Sequence, residues 1–579
     1  MKKLMLGNEA VARGAYEAGC TVASAYPGTP STEITEAIAK HYDEIYSEWA
    51  PNEKVAMEVA IGASIGGARA ICAMKHVGLN VAADPLFTVS YTGVNGGLVI
   101  MVADDPGMHS SQNEQDSRNY ARASKVPMLE PSDSQECKDF VKKAFSISEQ
   151  FDTPVIVRLS TRIAHSQSTV EISEKEDYKI KEYVKDANKY VMMPAMAKRR
   201  HVEVEKRMAA LREYSNESEL NKVELNSSDI GVITSGVSYQ YVKEAMPNAA
   251  VLKIGMVYPI PEKLIAEFAG KVKTLYVVEE LEPFFEDQIL KMGIKVIGKE
   301  KLPVIGEFSA QLISEKLLGK NLEITEVSNG PVPVRPPVMC PGCPHRGMFY
   351  VLKKLKLNVS GDIGCYTLGA LAPNESIDTC ICMGASIGVA HGMEKARGAE
   401  FGKKTVAILG DSTFIHSGIT GLIDVVYNKG NSTVLILDNS ITGMTGHQQN
   451  PTTGFTIKGE PTKQVDLELL CKAVGIERVT VVDPFDIKEF ERVVKTETEA
   501  AEPSVIISQR PCALLKHVKF EGVQKISQDK CKKCRACMRI GCPAIVDKGE
   551  HLEINPALCV GCKLCTKVCS FNAIERAGE

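Results

Sequence analysis

Eight cysteines near the C-terminus, arranged in two groups, constrain this chain more than any other feature. The first group has the spacing CxxCxxCxxxxC and the second has CxxCxxCxxxC; the eight are Cys531, Cys534, Cys537, Cys542, Cys559, Cys562, Cys565 and Cys569. In a small secreted domain such clustering predicts disulfides. The chain has 579 residues, and its N-terminal apolar run ends at Gly7-Asn8-Glu9, so we expect no signal peptide. Clustered CxxC spacing in this setting predicts metal binding.

The cysteine pattern resembles that of bacterial two-cluster ferredoxins. In those proteins the fourth cysteine of each group binds the cluster of the other group. The resemblance assigns the first [4Fe–4S] cluster to Cys531, Cys534, Cys537 and Cys569. It assigns the second to Cys542, Cys559, Cys562 and Cys565. A pair of zinc sites is the alternative interpretation. Four residues instead of three precede Cys542, and Ser570 replaces the usual proline, but neither departure removes a ligand.

Composition and charge exclude several classes of protein. The chain is 44% hydrophobic and 24% charged, as is typical of a globular protein, and its net charge of −4 gives no basic field for nucleic acid. It contains no run of eighteen apolar residues, so we expect no membrane span and a cytoplasmic location. The length predicts three to five domains.

The stretch 405–446 predicts a ligand site at the end of a parallel sheet. Residues 406–409 and 433–437 are short apolar runs typical of strands buried on both faces. A helix between them is predicted from apolar residues at helical spacing: Ile419, Leu422, Ile423 and Val426. Asp411 and Asn439 then follow the two strands, where open α/β sheets bind ligands. Their oxygens, with a backbone carbonyl, suit Mg²⁺. The alternative is an ordinary βαβ unit with polar loops.

The rest of the chain predicts an α/β fold of several doubly wound parallel-sheet domains. Apolar strands alternate with helical segments, and the strands of the first 170 residues are predicted at 22–25, 70–74, 98–102 and 155–159. Strands are also predicted at 230–234, 251–254, 274–278 and 504–508. The segments are α/β (1–170), a charged helical connector (171–226), α/β (227–330), α/β with the motif above (331–520) and the cysteine-rich segment (521–579). Residues 330–337 are predicted to be an extended linker.

Three places in the first segment carry candidate functional residues. Thr29 lies in a Pro/Gly turn after the first predicted strand, and the next helix is predicted to open at Ser31. Glu58 lies in a helix of small residues, where we expect a partly buried carboxylate; an exposed helical glutamate is the alternative. Arg118 and Arg122 lie on a predicted solvated helix and are candidates for binding an anion.

A second set of cysteines precedes the ferredoxin-like segment. Cys340 and Cys343 form a CxxC pair, and Cys365 and Cys512 are candidates for the third and fourth ligands of an iron–sulfur or zinc site. Cys380 and Cys382 compete for those places. Buried free cysteines are the alternative interpretation.

Taken together, these motifs resemble the 2-oxoacid:ferredoxin oxidoreductase family, and in particular its aryl-pyruvate branch. The resemblance spans nearly the whole chain except the charged connector. It is carried by the strings YPGTPSTEI, NEKVAMEVAIGAS, KHVGLN, CPGCPHR, DIGCYTLG, DTCICMGAS, GDSTFIHSGI and LDNSITGMTGHQ, and by the cysteine-rich tail. It implies pyrimidine-binding and diphosphate-binding domains for thiamine diphosphate and a transketolase C-terminal-like domain. A ferredoxin domain with two [4Fe–4S] clusters completes the expected fold.

The resemblance also implies roles for individual residues. Gly410, Asp411 and Ser412 begin the diphosphate motif, and Mg²⁺ is expected on the Asp411 and Asn439 side chains and the Ile441 carbonyl. Glu58 matches the glutamate that bonds the aminopyrimidine ring, Thr29 a substrate-contacting threonine, and Arg122 an arginine that binds the substrate carboxylate, with Arg118 as its fallback. The ligands of a third, proximal [4Fe–4S] cluster would be Cys340, Cys343, Cys365 and Cys512.

The implied activity is oxidative decarboxylation of a 2-oxoacid to acyl-CoA and CO₂. Thiamine diphosphate would supply the carbanion equivalent, and electrons would leave through the clusters to ferredoxin. The expected substrates are aryl pyruvates: indolepyruvate, phenylpyruvate and 4-hydroxyphenylpyruvate. Pyruvate or branched 2-oxoacids, and a non-oxidative thiamine-dependent decarboxylase, are the alternatives. The expected partners are coenzyme A, ferredoxin and a small beta subunit, in a heterodimer or a dimer of heterodimers.

Overall fold

The computed structural model describes residues 1–226, 229–322, 333 and 336–578. The chain forms two compact units, Met1–Asn329 and Gly330–Glu579. The predicted extended linker at 330–337 lies outside the described residues except at 333, 336 and 337.

The first unit contains thirteen described strands and fourteen described α-helices. The strands are β1 (Lys2–Leu6), β2 (Val22–Ala25), β3 (Tyr46–Trp49), β4 (Ala70–Lys75), β5 (Leu98–Asp104), β6 (Met128–Leu129), β7 (Val155–Ser160), β8 (Gln167–Glu171), β9 (Lys222–Glu224), β10 (Ile230–Thr234), β11 (Ala250–Lys253), β12 (Met256–Tyr258) and β13 (Thr274–Val278). The helices are α1 (Gly7–Glu17), α2 (Thr32–His41), α3 (Glu53–Ile65), α4 (His76–Val81), α5 (Ala83–Thr92), α6 (Arg118–Ser124), α7 (Ser134–Phe151), α8 (Thr161–His165), α9 (Ala187–Tyr190), α10 (Pro194–Glu217), α11 (Gly236–Ala245), α12 (Glu262–Ala269), α13 (Phe284–Lys291) and α14 (Ala310–Ile313). A π-helical turn, Ser314–Leu318, follows α14.

A seven-stranded sheet forms the centre of this unit, in the order β12-β6-β7-β5-β4-β2-β3. All neighbouring pairs are parallel except β12 with β6. Every residue of the central strand β5 is buried, because helices cover both faces of a doubly wound sheet. The predicted fold class and the four predicted strands of this segment are confirmed, with small differences at the strand ends. Helix α2 begins at Thr32, directly after Ser31.

A second sheet of four strands, β13-β10-β11-β9, follows within the same unit. Strand β12, from the segment predicted as a separate α/β domain, pairs with β6 of the first sheet. The charged connector forms the 24-residue helix α10, which contributes Val204, Met208 and Leu211 to the same hydrophobic core. One hydrophobic core of the first unit therefore extends across segments whose compositions differ.

The second unit contains ten described strands and eight described α-helices. The strands are β14 (Asn358–Gly361), β15 (Thr379–Cys380), β16 (Thr405–Gly410), β17 (Thr433–Asp438), β18 (Arg478–Val482), β19 (Ser504–Gln509), β20 (Gln524–Ile526), β21 (Ile545–Asp547), β22 (Leu552–Ile554) and β23 (Ile574–Arg576). The helices are α15 (His345–Leu355), α16 (Ala385–Arg397), α17 (Ala399–Gly402), α18 (Asp411–Thr413), α19 (Ile419–Tyr427), α20 (Leu467–Ala473), α21 (Ile487–Thr498) and α22 (Leu564–Val568). Cys365–Ala370 and Ala536–Ile540 are 3₁₀ helices, and Phe414–Gly418 is a π-helix.

The main sheet of this unit has six parallel strands, in the order β15-β14-β16-β17-β19-β18. The helix between β16 and β17 differs from its prediction. It begins at Asp411 and passes through the π-helical turn at Phe414–Gly418, which changes the rotation of the residues that follow. As a result Leu422 and Val425 are buried, whereas Ile423, predicted for the apolar face, is 46% exposed.

The cysteine-rich segment contains two antiparallel strand pairs, β20 with β23 and β21 with β22. Its apolar residues Ile540, Leu552 and Leu564 belong to the same hydrophobic core as Phe349 of α15. The segment therefore packs as part of the second unit. Across the described residues, no helix has the length and apolar character required to cross a membrane.

Candidate functional site

Asp411 and Asn439 lie at the carboxyl ends of two adjacent parallel strands. In the register of β16 and β17, Gly410 pairs with Leu437, so the residues that follow the two strands emerge at the same edge of the sheet. Gly410 faces the ring of Tyr366, because a Cβ at Gly410 would lie 3.1 Å from the Tyr366 Cε1. Asn439 accepts a hydrogen bond at Oδ1 from the Ile441 backbone N–H at 3.2 Å. The predicted oxygen donors are therefore grouped at one sheet edge.

The Asp411 carboxylate is buried in polar surroundings that sequence reasoning did not identify. Its Oδ2 accepts hydrogen bonds from Thr452 Oγ1 at 2.8 Å and Asn450 Nδ2 at 3.3 Å. Burial, and next the charge of Asp438, raise the pKa of Asp411 to about 7. A divalent cation between such groups would offset both the desolvation and the repulsion, because hard cations prefer carboxylate, amide and carbonyl oxygens. The donors present thus fit Mg²⁺.

A hydrogen bond joins this sheet edge to the second set of cysteines. The Cys512 backbone N–H donates to the Asn439 carbonyl at 2.9 Å. The loop after Asn439 also approaches the thiols: a Cβ at Gly443 would lie 3.4 Å from the Cys365 Sγ, and His447 Nε2 lies 3.9 Å from the Cys512 Sγ. The loop after Asn439 therefore lies next to both the candidate metal site and these thiols.

The structure brings together four of the six cysteines that competed for this site. Burial, and then the neighbouring thiols of Cys512 and Cys340, raise the pKa of Cys365 to about 11. Burial likewise raises the pKa of Cys343 to about 12, with Cys365 and Cys340 among its neighbours.

Cys380 and Cys382 occupy a different place. Burial raises the pKa of both thiols, and the next contribution in each case comes from Asp362. Asp362 is itself buried and accepts hydrogen bonds from the backbone N–H groups of Gly384 and Ser386 at the start of α16. The structure therefore does not group these two thiols with the CxxC pair.

Each of two cavities in the cysteine-rich segment is lined by a crossed set of four cysteines, meaning three from one group and the fourth from the other. One is lined by Cys542, Cys559, Cys562 and Cys565. The other is lined by Cys531, Cys534, Cys537 and Cys569. Within the described residues, no three Cys, His, Asp or Glu side chains converge closely enough to hold one metal ion. Each cavity therefore brings together the four cysteines that the resemblance assigns to one cluster.

In the first unit, Glu58 does not have the burial predicted for it. Its side chain is 45% exposed and forms an ion pair with Lys54, one helical turn earlier. The buried carboxylate of α3 is instead Glu53, which is 4% exposed. Five residues of helix separate the two by about 7.5 Å along the axis and about 140° around it, so they lie on different faces. The predicted burial of Glu58 is therefore wrong. Burial of a carboxylate on α3, the property that made Glu58 a candidate, is found at Glu53 instead.

Glu53 lies at the carboxyl edge of the seven-stranded sheet, since α3 begins shortly after β3 ends. It packs closely on Gly78, where a Cβ would lie 2.7 Å from the Glu53 Cγ. Lys75, the last residue of β4, is a neighbour: burial lowers the pKa of its ammonium, and the charges of Asp105 and Glu53 oppose that shift. Sequence reasoning missed both residues: Lys75 directly follows the predicted strand 70–74, whereas Glu53 follows β3, a strand that was not predicted.

Thr29 lies at the same edge, in the loop after β2. Its carbonyl accepts a hydrogen bond from Ser110 Oγ at 3.2 Å, and the Ser110 carbonyl accepts one from Lys75 Nζ at 3.0 Å. Gly28 packs on the Lys75 side chain, since a Cβ there would lie 3.3 Å from its Cγ. Thr29 and Lys75 are thus connected through one serine.

Arg118 and Arg122 have different environments. Arg118, predicted on a solvated helix, is 1% exposed. Its guanidinium contacts Asp116 at 2.6 Å and Glu279 at 2.5 Å, and it also donates to the carbonyls of Glu280 and Glu282. The prediction that Arg118 lies on a solvated helix face is therefore wrong. Its N–H groups already donate to protein carboxylates and carbonyls. Arg122 is exposed, donates to Asn119 at 3.1 Å and lies over the Phe284 ring.

We expect these two arginines to differ strongly in their contribution to stability. Arg118→Ala would remove the guanidinium that pairs directly with two buried carboxylates, Asp116 and Glu279, which costs about 3–5 kcal/mol. Arg122→Ala, at an exposed position, should change the free energy of unfolding by less than about 0.5 kcal/mol. Denaturant-induced unfolding of the full chain measures both values. Equal effects of the two substitutions would contradict this distinction.

Three domain families match separate parts of the chain. Residues 13–228 match "Pyruvate flavodoxin/ferredoxin oxidoreductase, thiamine diP-bdg". Residues 362–508 match "Thiamine pyrophosphate enzyme, C-terminal TPP binding domain". Residues 552–575 match "4Fe-4S binding domain". Fold, site and matches together define the class: oxidoreductases that combine thiamine diphosphate with iron–sulfur clusters. The resemblance and these two kinds of cofactor, as predicted from the sequence, are confirmed.

Full-length relatives give the particular family. The chain is 42% identical to the indolepyruvate oxidoreductase subunit IorA of Archaeoglobus fulgidus, covering 100% of this chain and 98% of the relative. It is 41% identical to that of Pyrococcus horikoshii, covering 100% and 97%. The chain belongs to the family of indolepyruvate oxidoreductase IorA subunits, within the 2-oxoacid:ferredoxin oxidoreductases.

More distant likenesses extend over about half of the chain. The 2-oxoglutarate synthase subunit KorA of Methanothermobacter marburgensis is 26% identical, covering 52% of this chain and 93% of the relative. A solved 2-oxoglutarate:ferredoxin oxidoreductase from Magnetococcus marinus has a TM-score of 0.47 and 19% identity, covering 55% of this chain and 65% of the other.

Proposed function

We propose that this chain is the large subunit of an indolepyruvate:ferredoxin oxidoreductase. The reaction is oxidative decarboxylation of aryl pyruvates to acyl-CoA and CO₂, with electrons passed through [4Fe–4S] clusters to ferredoxin. The observation that carries the proposal is a contact between the candidate thiamine diphosphate site and the candidate site of the proximal cluster. The carbonyl of Asn439, at the strand-end oxygen site, accepts the backbone N–H of Cys512, one of the grouped thiols.

The strand-end site is proposed to hold the diphosphate and its metal. Mg²⁺ would take the Asp411 carboxylate, the Asn439 amide oxygen and the Ile441 carbonyl, with Gly410 and Ser412 beside the diphosphate. When bound, thiamine diphosphate supplies a carbanion equivalent that attacks the keto carbon of a 2-oxoacid. Support comes from the buried, hydrogen-bonded environment of Asp411, where a carboxylate without a cation is costly.

Glu53 replaces Glu58 as the proposed acid–base residue of the first unit. A carboxyl group that exchanges a proton with an aminopyrimidine nitrogen needs a site shielded from water, because solvent competes for the same hydrogen bond. Glu53 is buried at the carboxyl edge of the sheet, whereas the exposed Glu58 is paired with Lys54. The carboxyl edge is also where open α/β sheets bind ligands.

Thr29, Arg122 and Lys75 are proposed to contact the 2-oxoacid. Arg122 is exposed and retains donors for a carboxylate, in contrast to Arg118. Lys75 adds a second cation close to Glu53. Thr29 is linked to Lys75 through Ser110, so the two lie within reach of one small ligand.

Electron transfer is proposed to use three clusters. A proximal cluster would be held by Cys340, Cys343, Cys365 and Cys512. Two further clusters would be held by the crossed sets that line the two C-terminal cavities. A small beta subunit is proposed to complete the enzyme, as a heterodimer or a dimer of heterodimers.

The substrate class can be tested with a panel of 2-oxoacids. The assembled enzyme, assayed without oxygen in the presence of coenzyme A and ferredoxin, should have a kcat/KM for indolepyruvate at least about tenfold above that for pyruvate, because an aryl side chain adds apolar binding surface. Phenylpyruvate and 4-hydroxyphenylpyruvate should group with indolepyruvate. A preference for pyruvate or 2-oxoisovalerate would contradict the aryl assignment, and CO₂ release without ferredoxin reduction would support a non-oxidative decarboxylase.

A further inference from the structure

Arg346 lies between the CxxC pair and the ferredoxin segment. It belongs to the first turn of α15 and is 2% exposed. Its Nε donates to the Cys340 carbonyl at 3.0 Å, and its Nη2 donates to the Met339 carbonyl. Its Nη1 donates to the carbonyls of Ile540, at 3.2 Å, and Gly541. One side chain therefore connects two parts of the chain that each carry candidate cluster ligands.

The same contact is reinforced by the loop that carries the CxxC pair. Gly342, between the two cysteines, has a left-handed φ of +76°, and a Cβ there would lie 2.7 Å from the Val560 Cγ2. This position requires glycine both for its backbone conformation and for its close approach. The loop therefore packs directly on the ferredoxin segment, which keeps the Arg346 guanidinium at a fixed position.

Every hydrogen bond made by Arg346 goes to a neutral carbonyl. Among the residues that the structure describes, no carboxylate forms an ion pair with it. A buried guanidinium without a counter-charge is costly, since desolvation is not repaid by an anion. Burial accordingly lowers the pKa of Arg346, and the groups that oppose this shift are all thiols: Cys343, Cys542, Cys340 and Cys562.

The missing counter-charge is inferred from the cavity that Arg346 lines. Arg346 lines the same cavity as Cys542, Cys559, Cys562 and Cys565. Iron–sulfur clusters are bound by thiolates, and their reduction potentials depend on cluster charge, hydrogen bonding and exposure. A fixed positive charge beside a cluster stabilises the reduced form more than the oxidised form, because reduction adds a negative charge.

We propose that Arg346 is the built-in counter-cation of the cluster in the Cys542–Cys565 cavity and that it raises the reduction potential of that cluster. The inference rests on the proposed function, because it requires clusters at these cysteines. Arg346 acts here as a positioning and electrostatic residue, and it does not bind iron. Its four carbonyl contacts hold the charge between the proximal thiols and this cavity.

The test is a potentiometric titration of the assembled, cluster-loaded enzyme, followed by EPR spectroscopy. Arg346→Gln removes the charge and keeps a hydrogen-bond donor, whereas Arg346→Lys keeps the charge. In Arg346→Gln we expect one cluster to have a lower midpoint potential. At a fixed potential its ratio of reduced to oxidised forms should be at least tenfold lower than in the wild type. For a one-electron centre, a tenfold change corresponds to a shift of about 59 mV. Arg346→Lys should titrate like the wild type.

Arg535 provides a matched control. It lines the other cavity but is exposed and paired with Asp547 at 2.7 Å, so its charge is already compensated and screened. Arg535→Gln should leave all midpoints unchanged. Equal midpoint potentials in Arg346→Gln and the wild type would overturn the proposal. A shift in Arg346→Lys as large as that in Arg346→Gln, or loss of the EPR signal in Arg346→Lys, would also overturn it. If the wild-type enzyme contained no iron and gave no EPR signal of a cluster, the proposed function itself would be overturned.

Discussion

Replacing Glu53 with Gln is expected to lower 2-oxoacid-dependent reduction of ferredoxin by about 10²–10⁴-fold, the range for loss of one general acid–base group. Gln has nearly the same shape as Glu, but its amide does not act as an acid or a base in the range where a carboxyl group does. Because Glu53 is 4% exposed, no water molecule can readily replace it. The measurement is the initial rate of ferredoxin reduction by the assembled enzyme, without oxygen and with saturating coenzyme A.

Glu58→Gln is the matched control, since it makes the same chemical change on the same helix. Glu58 is 45% exposed, and among the described residues it forms an ion pair with Lys54 alone, a surface contact whose loss changes stability little. We expect its activity to stay within about twofold of wild type, because such a difference in stability does not unfold the protein. A large loss in Glu58→Gln with normal activity in Glu53→Gln would return the role to Glu58.

Asp411→Asn is expected to abolish binding of thiamine diphosphate with Mg²⁺. The substitution removes a carboxylate ligand and keeps its size and its polar neighbours Thr452 and Asn450. Because burial and Asp438 disfavour the ionised carboxylate, the protein without cofactor should be at least as stable as wild type. With the cofactor at a hundred times its dissociation constant, wild type should gain about 2.7 kcal/mol of stability, and the variant should gain none.

Thermal unfolding with and without thiamine diphosphate and Mg²⁺ measures this difference. Asp424→Asn is a suitable control, because Asp424 is exposed on α19 and lies outside the proposed site. It should show the full cofactor-dependent rise in melting temperature. Stabilisation of Asp411→Asn equal to that of wild type would remove Asp411 from the metal site.

The positions of the strands and the ends of the parallel sheets were accessible from sequence. Strands buried on both faces appear as short continuous apolar runs, so β16 and β17 were predicted to within one residue at either end. The polar residues that follow such strands must emerge at one edge. Because of this geometry, the sequence alone predicts that Asp411 and Asn439 lie next to each other. Spacing likewise separates the eight cysteines into two groups, and the resemblance to two-cluster ferredoxins assigns the fourth cysteine of each group to the other cluster.

Burial of individual charged residues was not accessible in the same way. A helix with small residues on several sides gives no sequence signal for its buried face, so Glu53 and Glu58 could not be distinguished. Arg118 is buried because Glu279, distant in the chain, pairs with it. Ile423 is exposed because a π-helical turn changes the rotation of α19, and no residue pattern marked that turn.

Contacts between distant segments were the other part that sequence could not supply. Strand β12 joins the first sheet although it follows the charged connector, and α10 of that connector contributes to the shared core. Arg346 is similar, because its environment depends on carbonyls about 195 residues away. Such contacts depend on tertiary packing, which local periodicity does not encode.

EPR spectroscopy of the assembled enzyme after mixing with indolepyruvate and coenzyme A, without oxygen, tests the central claim most directly. The claim is that a thiamine site at Asp411 and Asn439 delivers electrons to the cysteine-bound clusters. Wild type should develop the signal of reduced [4Fe–4S] clusters, and Asp411→Asn should not, although dithionite reduces the clusters of both proteins. The same substrate-dependent signal in Asp411→Asn, or its absence from wild type whose clusters dithionite reduces, would contradict the account.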